Sequence, residues 1–142
     1  MNRFKDVSTW LLVILMASGL ALASCAGTKP KPGEVFPCVK ESKLEKTIAP
    51  EAQLEEFSCV FKEKWGSETL HFNVAIKNVS NTDQRFKVNI FLDNGKAVGG
   101  LLPRKTKKGL VKPGQTVKFV YPVKDMYEKP KAITLMIKTM GK

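Results

Sequence analysis

The sequence of 142 residues contains a single histidine, His71. Histidine is the commonest general acid or base in enzymes, and a serine or cysteine nucleophile needs a base beside it. His71 stands on the polar side of an alternating segment, next to Asn73, where we expect an exposed residue without a catalytic role. Glu55, Glu56 and Glu63 are expected to be solvated charges, because neighbours 55 and 56 point to opposite faces of a strand. We therefore predict that the protein is not an enzyme.

Recognisable sets of metal or nucleotide ligands are also missing. The three cysteines show no CxxC spacing, and they form no cluster with histidine and carboxylates of the kind that binds zinc. The pair Gly99-Gly100 follows a strand pattern without the helix and lysine of a phosphate-binding loop. A bulge or a close approach between two backbones is the expected role of these glycines. No cofactor is predicted.

Acidic residues are few, with 13 against 24 lysines and arginines, and the formal net charge is +11. One segment, "PRKTKKGLVK", concentrates the positive charge and is called here the basic loop: Arg104, Lys105, Lys107, Lys108 and Lys112. Such a field attracts anions such as lipid headgroups, lipopolysaccharide phosphates and acidic proteins. The alternative is a solubilising loop on a protein that is basic throughout. Nucleic acid is not a predicted partner, because the loop lacks interleaved aromatic residues that stack on bases.

Long apolar runs are absent except for one near the start, at residues 10–22. This run is shorter than the roughly 20 residues that span a bilayer. It follows Arg3 and Lys5 and ends in small residues, which is the pattern of a secretory signal peptide. The four residues "LASC" at positions 22–25, which overlap the end of this run, resemble the lipobox of bacterial lipoproteins.

The lipobox resemblance implies that the chain is cut before Cys25, that the Cys25 thiol is diacylated and that the new amino terminus is acylated. Three acyl chains would hold the protein on a membrane effectively permanently. Ala26 follows the cysteine where, in enteric lipoproteins, an aspartate retains the protein at the inner membrane. We therefore expect a protein on the outer membrane that faces the periplasm. The alternative is an ordinary signal peptide cut nearby, with Cys25 left as an odd thiol.

The other two cysteines, Cys38 and Cys59, remain as an even pair. Exported proteins meet an oxidising compartment, and closing a loop of about 20 residues stabilises a fold by around 3 kcal/mol. A disulfide is the first expectation for this pair. A buried free thiol and a redox or metal pair are the alternatives.

Composition divides the chain into three parts. Residues 1–24 form the predicted signal peptide, and residues 25–34, "CAGTKPKPGE", form a predicted tether that extends by about 3 Å per residue. Residues 35–142 have the length of one domain with its own core.

This domain has the periodicity of β-strands, with apolar residues at alternate positions in "LHFNVAIKN" and "RFKVNIFLD". "DNGK" predicts a hairpin into "AVGGLL", and "KPGQ" predicts a turn before "TVKFVYPV". Further strands are predicted in "EEFSCVFKEKW" and "AITLMIKTM", with an edge strand in "VFPCVK" and a helical turn near "APEAQLEE". About seven short strands indicate an antiparallel, immunoglobulin-like β-sandwich, with a small barrel as the alternative.

Three segments, "VAIKNVSNTDQ", "IFLDNGK" and "LVKPGQTVKF", resemble the FxLYD-type immunoglobulin-like domains of bacterial envelope lipoproteins. The resemblance implies an envelope domain with a non-catalytic role.

Two functions follow as hypotheses. One is a lipid-anchored interaction or assembly module that binds another envelope protein, for example by adding a partner strand to a sheet edge. The other is a module that binds an anionic envelope polymer or lipid through the basic loop. The dependence of binding on salt distinguishes the two hypotheses, because ionic screening weakens binding through charge more than it weakens binding by strand addition.

Overall fold

The computed structural model describes residues 29–104 and 109–140. This part of the chain contains no membrane-crossing helix. It forms a 3-10 turn at Glu41–Lys43 and eight strands: β1 Val35–Phe36, β2 Leu44–Ile48, β3 Ala52–Lys64, β4 Ser67–Asn78, β5 Arg85–Leu92, β6 Ala97–Leu102, β7 Thr116–Pro122 and β8 Ile133–Met140.

The strands form two four-stranded sheets, in the orders β1-β3-β4-β7 and β2-β8-β5-β6. The prediction of an all-β sandwich is confirmed. The eighth strand, β2, was not predicted, and it pairs in parallel with β8 from Leu44 opposite Ile133 to Ile48 opposite Ile137. Its sequence, "LEKTI", is too short and too weakly alternating to be recognised without its neighbour.

The predicted helical turn near residues 49–56 is wrong, because strand β3 begins there at Ala52. Ala52 pairs with Asn78 and Leu54 pairs with Ile76 across the β3–β4 hairpin. Ala52 is buried and Leu54 is half-buried. Pairing with β4 and burial thus outweigh the local helical preference of this segment.

Alternation along the strands places the core between the two sheets. The inward side chains include four large residues of β4, three of β5 and three of β8, and they are buried: Leu70, Phe72, Val74, Ile76, Phe86, Val88, Ile90, Ile133, Leu135 and Ile137. The Phe57 and Phe72 rings stack with their centroids 5.6 Å apart.

Gly99 and Gly100 lie in β6, beside β5. A Cβ atom on Gly99 would lie 2.0 Å from the backbone oxygen of Val88, whereas one on Gly100 would lie 3.7 Å from the Tyr121 ring. The predicted close approach between two backbones is therefore confirmed at Gly99.

Asn78 ends β4 and is fully buried. Its amide nitrogen donates to the carbonyl oxygens of Thr82 and Val111, both at 2.8 Å. Its side-chain oxygen accepts hydrogen bonds from the Ser80 backbone N–H at 2.9 Å and the Ser80 hydroxyl at 2.7 Å. One side chain thus joins the turn after β4 to the segment before β7.

We expect Asn78→Ala to lower the free energy of unfolding by about 2–3 kcal/mol, because it removes four hydrogen bonds of a fully buried side chain and leaves the Ser80 N–H without its acceptor. Asn73→Ala is the matched control, since the half-buried Asn73 donates only to the Ser58 hydroxyl, at 3.1 Å. It should cost about 1 kcal/mol or less. Urea denaturation measures both values, and equal losses for the two variants would contradict the role given to Asn78.

The sandwich has two distinct ends. At the hairpin end, the β3–β4 turn lies with the segment after β7, where the Leu70 N–H donates to Met126 O at 2.9 Å. At the loop end, Arg85 at the start of β5 donates to Pro103 O at 3.0 Å. The 12 residues of β4 run from the first end to the second. At about 3.3 Å per residue, the two ends are roughly 36 Å apart.

Candidate binding surfaces

The described part of the predicted tether contacts the hairpin end. The Lys29 ammonium lies 3.6 Å from the Glu68 carboxylate, and the Gly33 N–H donates to Phe61 O at 2.9 Å. Pro30 is buried. Cys25, the predicted site of lipid attachment, lies outside the described residues. Four residue steps separate Cys25 from Lys29, and such a length of chain spans at most about 14 Å.

Cys38 and Cys59 are both buried, and their sulfur atoms are 2.14 Å apart, at the distance of a disulfide bond. Cys59 lies in the middle of β3, and Cys38 follows β1 by two residues. The pairing expected from the sequence is therefore present. The disulfide joins the chain after β1 to the first sheet, and it therefore fixes the position in space of the start of segment 37–43.

A groove lies over Cys38, with a volume of about 780 Å³, and we call it the lysine groove. It is lined by two segments, residues 37–43 and residues 129–131. Its four lysines are all exposed: Lys40, Lys43, Lys129 and Lys131. The single carboxylate of the lining, Glu41, forms an ion pair with Lys46.

Fixed contacts hold the second segment of the groove. The Asp93 carboxylate accepts hydrogen bonds from the Lys131 N–H at 3.0 Å and the Ala132 N–H at 3.4 Å. The bond from the Lys131 backbone lowers the pKa of Asp93. The Lys129 ammonium lies 4.7 Å from the centroid of the Phe36 ring, a cation–π contact.

Sequence reasoning missed the lysine groove because its two halves are about 90 positions apart and neither contains a dense run of charge. The parallel pairing of β2 with β8 brings them together, since residues 37–43 precede β2 and residues 129–131 precede β8. That pairing leaves no recognisable signal in the sequence.

The two described residues of the basic loop, Arg104 and Lys112, lie toward the other end of the sandwich. Of the loop's five predicted residues, Arg104 and Lys112 are described, whereas Lys105, Lys107 and Lys108 lie outside the described residues. The Arg104 guanidinium lies 4.2 Å from the centroid of the Phe119 ring. The exposed Lys112 donates its backbone N–H to the Gln115 side chain at 3.0 Å. The loop therefore begins and ends at the loop end, away from the described tether.

His71 is only 6% exposed, so the expectation of a surface position is wrong. It lies on the outer face of β4, opposite Val60 of β3 and Pro122 of β7. Its Nδ1 lies 2.9 Å from the Thr69 carbonyl oxygen. Alternation alone assigned this outward side chain to solvent. It is buried because β4 is a central strand with neighbours on both sides.

The expectation that Glu55 and Glu56 point to opposite faces is also wrong. A β-bulge interrupts the β3–β4 register between Leu54 and Glu56. The Thr116 hydroxyl donates to Glu55 at 2.8 Å, and the Lys118 ammonium lies 3.6 Å from Glu56. Because Thr116 and Lys118 are alternate residues of β7, both carboxylates lie on the outer face of the first sheet. Glu63, near the end of β3, is exposed as predicted.

Strand β7 is an edge of the first sheet, and within the described residues only β4 pairs with it. The Val123 N–H donates to Leu70 O at 2.8 Å, and Gln115 O accepts from the Asn78 N–H at 3.0 Å. In an antiparallel ladder the backbone N–H and C=O groups of successive residues point alternately to the two sides of the strand. The backbone groups of residues 115, 117, 119, 121 and 123 therefore point toward β4. The backbone N–H groups of Thr116, Lys118 and Val120 therefore point to the open side.

The other edges are less suited to strand addition. Strand β1 has two residues, β2 has five, and β6 contains Gly99-Gly100. The part of β3 that β1 leaves uncovered contains the bulge at Glu55, and bulges disrupt further pairing. Strand β7, with seven residues, is the longest regular edge in the described structure.

The described residues contain no group of three or more histidine, cysteine, aspartate or glutamate side chains arranged to hold a metal ion. Comparison of the chain with protein-family models, with curated proteins and with solved structures finds no match.

Proposed function

We propose that this chain is a lipid-anchored, non-catalytic module of the bacterial cell envelope that binds an extended segment of another envelope protein along β7. The open edge of β7 is the observation that carries the proposal. The lipobox-like residues 22–25 support the anchor, and the buried disulfide suits an oxidising compartment.

The geometry of β7 provides what strand addition needs. The backbone N–H groups of Thr116, Lys118 and Val120 point to the open side of β7, whereas the backbone groups of the residues between them face β4. A partner strand can therefore form a ladder of main-chain hydrogen bonds along this edge. Val120 is 41% exposed on the outer face. A shallow cavity of about 430 Å³ beside Val120, bordered by Asn73 and Glu56, gives a partner side chain a place to pack.

Position also favours β7. The described tether contacts the hairpin end, whereas β7 begins at the loop end, beside the basic loop. An incoming segment therefore reaches the start of β7 from the side away from the anchor. Outer-membrane attachment facing the periplasm would direct this end toward other envelope proteins.

A photo-crosslinking amino acid at Val120 tests the proposal in living cells. We expect it to crosslink one protein, through a peptide of extended, alternating sequence. Phe91 is the matched control position, because it is 44% exposed but lies in β5, which is paired on both sides. The Val120 crosslink should persist at about 0.5 M salt, where exposed charges are screened.

Val120→Pro removes the outward N–H and leaves the ladder with β4 intact, so it should abolish the crosslinking from a probe placed at Lys118. The urea midpoint of this variant shows whether it still folds. Crosslinking at Phe91 alone, or loss of the Val120 crosslink in high salt, would overturn strand addition.

Binding of an anionic envelope polymer by the basic loop is the second candidate. The observation in its favour is the exposed Arg104, which is held against Phe119 next to the β7 edge. Replacing Arg104, Lys105, Lys107 and Lys108 with serine should abolish this binding, and salt should weaken it steeply. Capture of the same single protein with and without these substitutions would eliminate the candidate.

A further inference from the structure

We propose that the lysine groove binds the phosphate-bearing headgroups of anionic lipids in the membrane that carries the Cys25 anchor. This inference rests on the lipid anchor of the proposed function. It assigns the hairpin end of the sandwich to the membrane surface and leaves the β7 edge and the basic loop for partners.

The charges of the groove are available to a ligand. Within residues 29–104 and 109–140, the four groove lysines take part in no salt bridge, because the ion pairs there join Lys29, Lys46 and Lys118 to other carboxylates. Glu41, the carboxylate of the lining, is occupied by Lys46. The groove therefore presents four ammonium groups outside any salt bridge of the described residues, and among them Lys131 is near enough to the Asp93 carboxylate to interact with it electrostatically. Clustered positive charges of this kind attract the phosphate groups of anionic lipids.

The surface between the lysines is apolar. Pro37, Val39 and Pro130 line the groove together with the buried disulfide. Tyr127 is 47% exposed and shares a neighbouring cavity of about 310 Å³ with Lys29 and Lys129. Tyrosine beside lysine is the combination found at the level of lipid headgroups, where one part of the side chain is apolar and the other is hydrated.

The tether brings this surface to the membrane. Lys29 borders the same cavity as Lys129, and Lys129 lines the lysine groove, so the two surfaces are continuous. Cys25 is within about 14 Å of Lys29, whatever path the chain takes. An acylated Cys25 lies at the bilayer surface, so this short reach holds the hairpin end beside the headgroups. Arg104, the described start of the basic loop, contacts Phe119 opposite Val74, which is roughly 20 Å along β4 from the Glu68 contact of the tether.

The first experiment is amine acetylation of the protein as cells process it, reconstituted in vesicles of phosphatidylcholine with or without phosphatidylglycerol. Intact mass first reports whether Cys25 carries lipid. If Cys25 carries no lipid, the protein is mixed with the same vesicles without an anchor. Absence of lipid on Cys25 would contradict the anchor, whereas absence of lysine protection would contradict the role of the groove. We expect about fivefold protection of the four groove lysines in the anionic vesicles, with Lys87 and Lys138 of the second sheet unchanged.

The second experiment compares two variants of equal charge. One replaces the four groove lysines with glutamine, and the other replaces Arg104, Lys105, Lys107 and Lys108 with glutamine. Fluorescence of Trp65, which is 57% exposed at the hairpin end, is quenched by lipids that carry a headgroup spin label. Quenching by anionic vesicles should fall to the phosphatidylcholine level in the groove variant and persist in the basic-loop variant.

Equal quenching of the two variants would overturn the proposal, because the effect would then follow net charge rather than the groove. Equal protection by inorganic phosphate alone would also overturn it, in favour of a soluble phosphate ligand. Protection confined to the groove lysines and dependent on phosphatidylglycerol would support it.

Discussion

Gly99→Ala is expected to lower the free energy of unfolding by about 3 kcal/mol, whereas Gly100→Ala should change it by less than about 1 kcal/mol. The added methyl group at position 99 would lie 2.0 Å from the Val88 carbonyl oxygen. The obstacle is backbone, so no side-chain rotation relieves it. At position 100 the nearest atom is 3.7 Å away, in the Tyr121 ring, which is ordinary van der Waals contact.

Urea denaturation of the two variants measures this difference, and circular dichroism checks that each keeps its strand content. The comparison is controlled closely, since both changes add one methyl group to neighbouring glycines of β6. Similar midpoints for both variants would show that β5 and β6 separate at little cost. The close approach at Gly99 would then have no energetic importance.

Reduction of the Cys38–Cys59 disulfide is expected to lower the free energy of unfolding by about 3 kcal/mol. The crosslink closes a loop of 21 positions, and opening it restores conformational freedom to the unfolded chain. Loss of the bond also releases residues 37–43, so protection of Lys40 and Lys43 by anionic vesicles should weaken in the same preparation. The stability loss is predicted to be the larger effect.

The test compares urea midpoints with and without a thiol reductant. A double variant, Cys38→Ala with Cys59→Ala, serves as the control and should be insensitive to the reductant. Its stability should be close to that of the reduced protein or somewhat lower, because Cys59 is fully buried and alanine leaves space in the core. A reductant effect on the double variant, or none on the natural protein, would contradict the assignment.

Most strands were predictable because alternation is a local signal. In β4, Leu70 to Ile76 alternate over one continuous segment, and the Asn-Gly turn marks the β5–β6 hairpin. Strand β2 was not predictable, since its stability depends on a parallel neighbour almost 90 positions away. The burial of His71 was missed for a related reason: alternation identifies a face, but not how far neighbouring strands cover it.

The surfaces were predictable only where the signal lies in one segment. The basic loop is evident from a run of charge, and Cys25 from the residues that precede it, and their roles stay predictions. The lysine groove is different, because Lys43 and Lys129 become neighbours through the disulfide and the β2–β8 pairing. A search for local charge runs selects the basic loop and cannot find the lysine groove, for which we propose the membrane contact.

The disulfide also determines how the module would respond to mechanical load. A pull on the tether passes from Cys38 directly to Cys59, so the two-residue strand β1 is not the weak point. From the middle of β3 the force spreads along the ladder with β4, which extends from Ala52–Asn78 to Lys64–Ser67. A partner on β7 would pull the opposite way through the other side of β4. Both ladders would then be loaded in shear, with many hydrogen bonds resisting together, as a tensile link between a membrane and its partner requires.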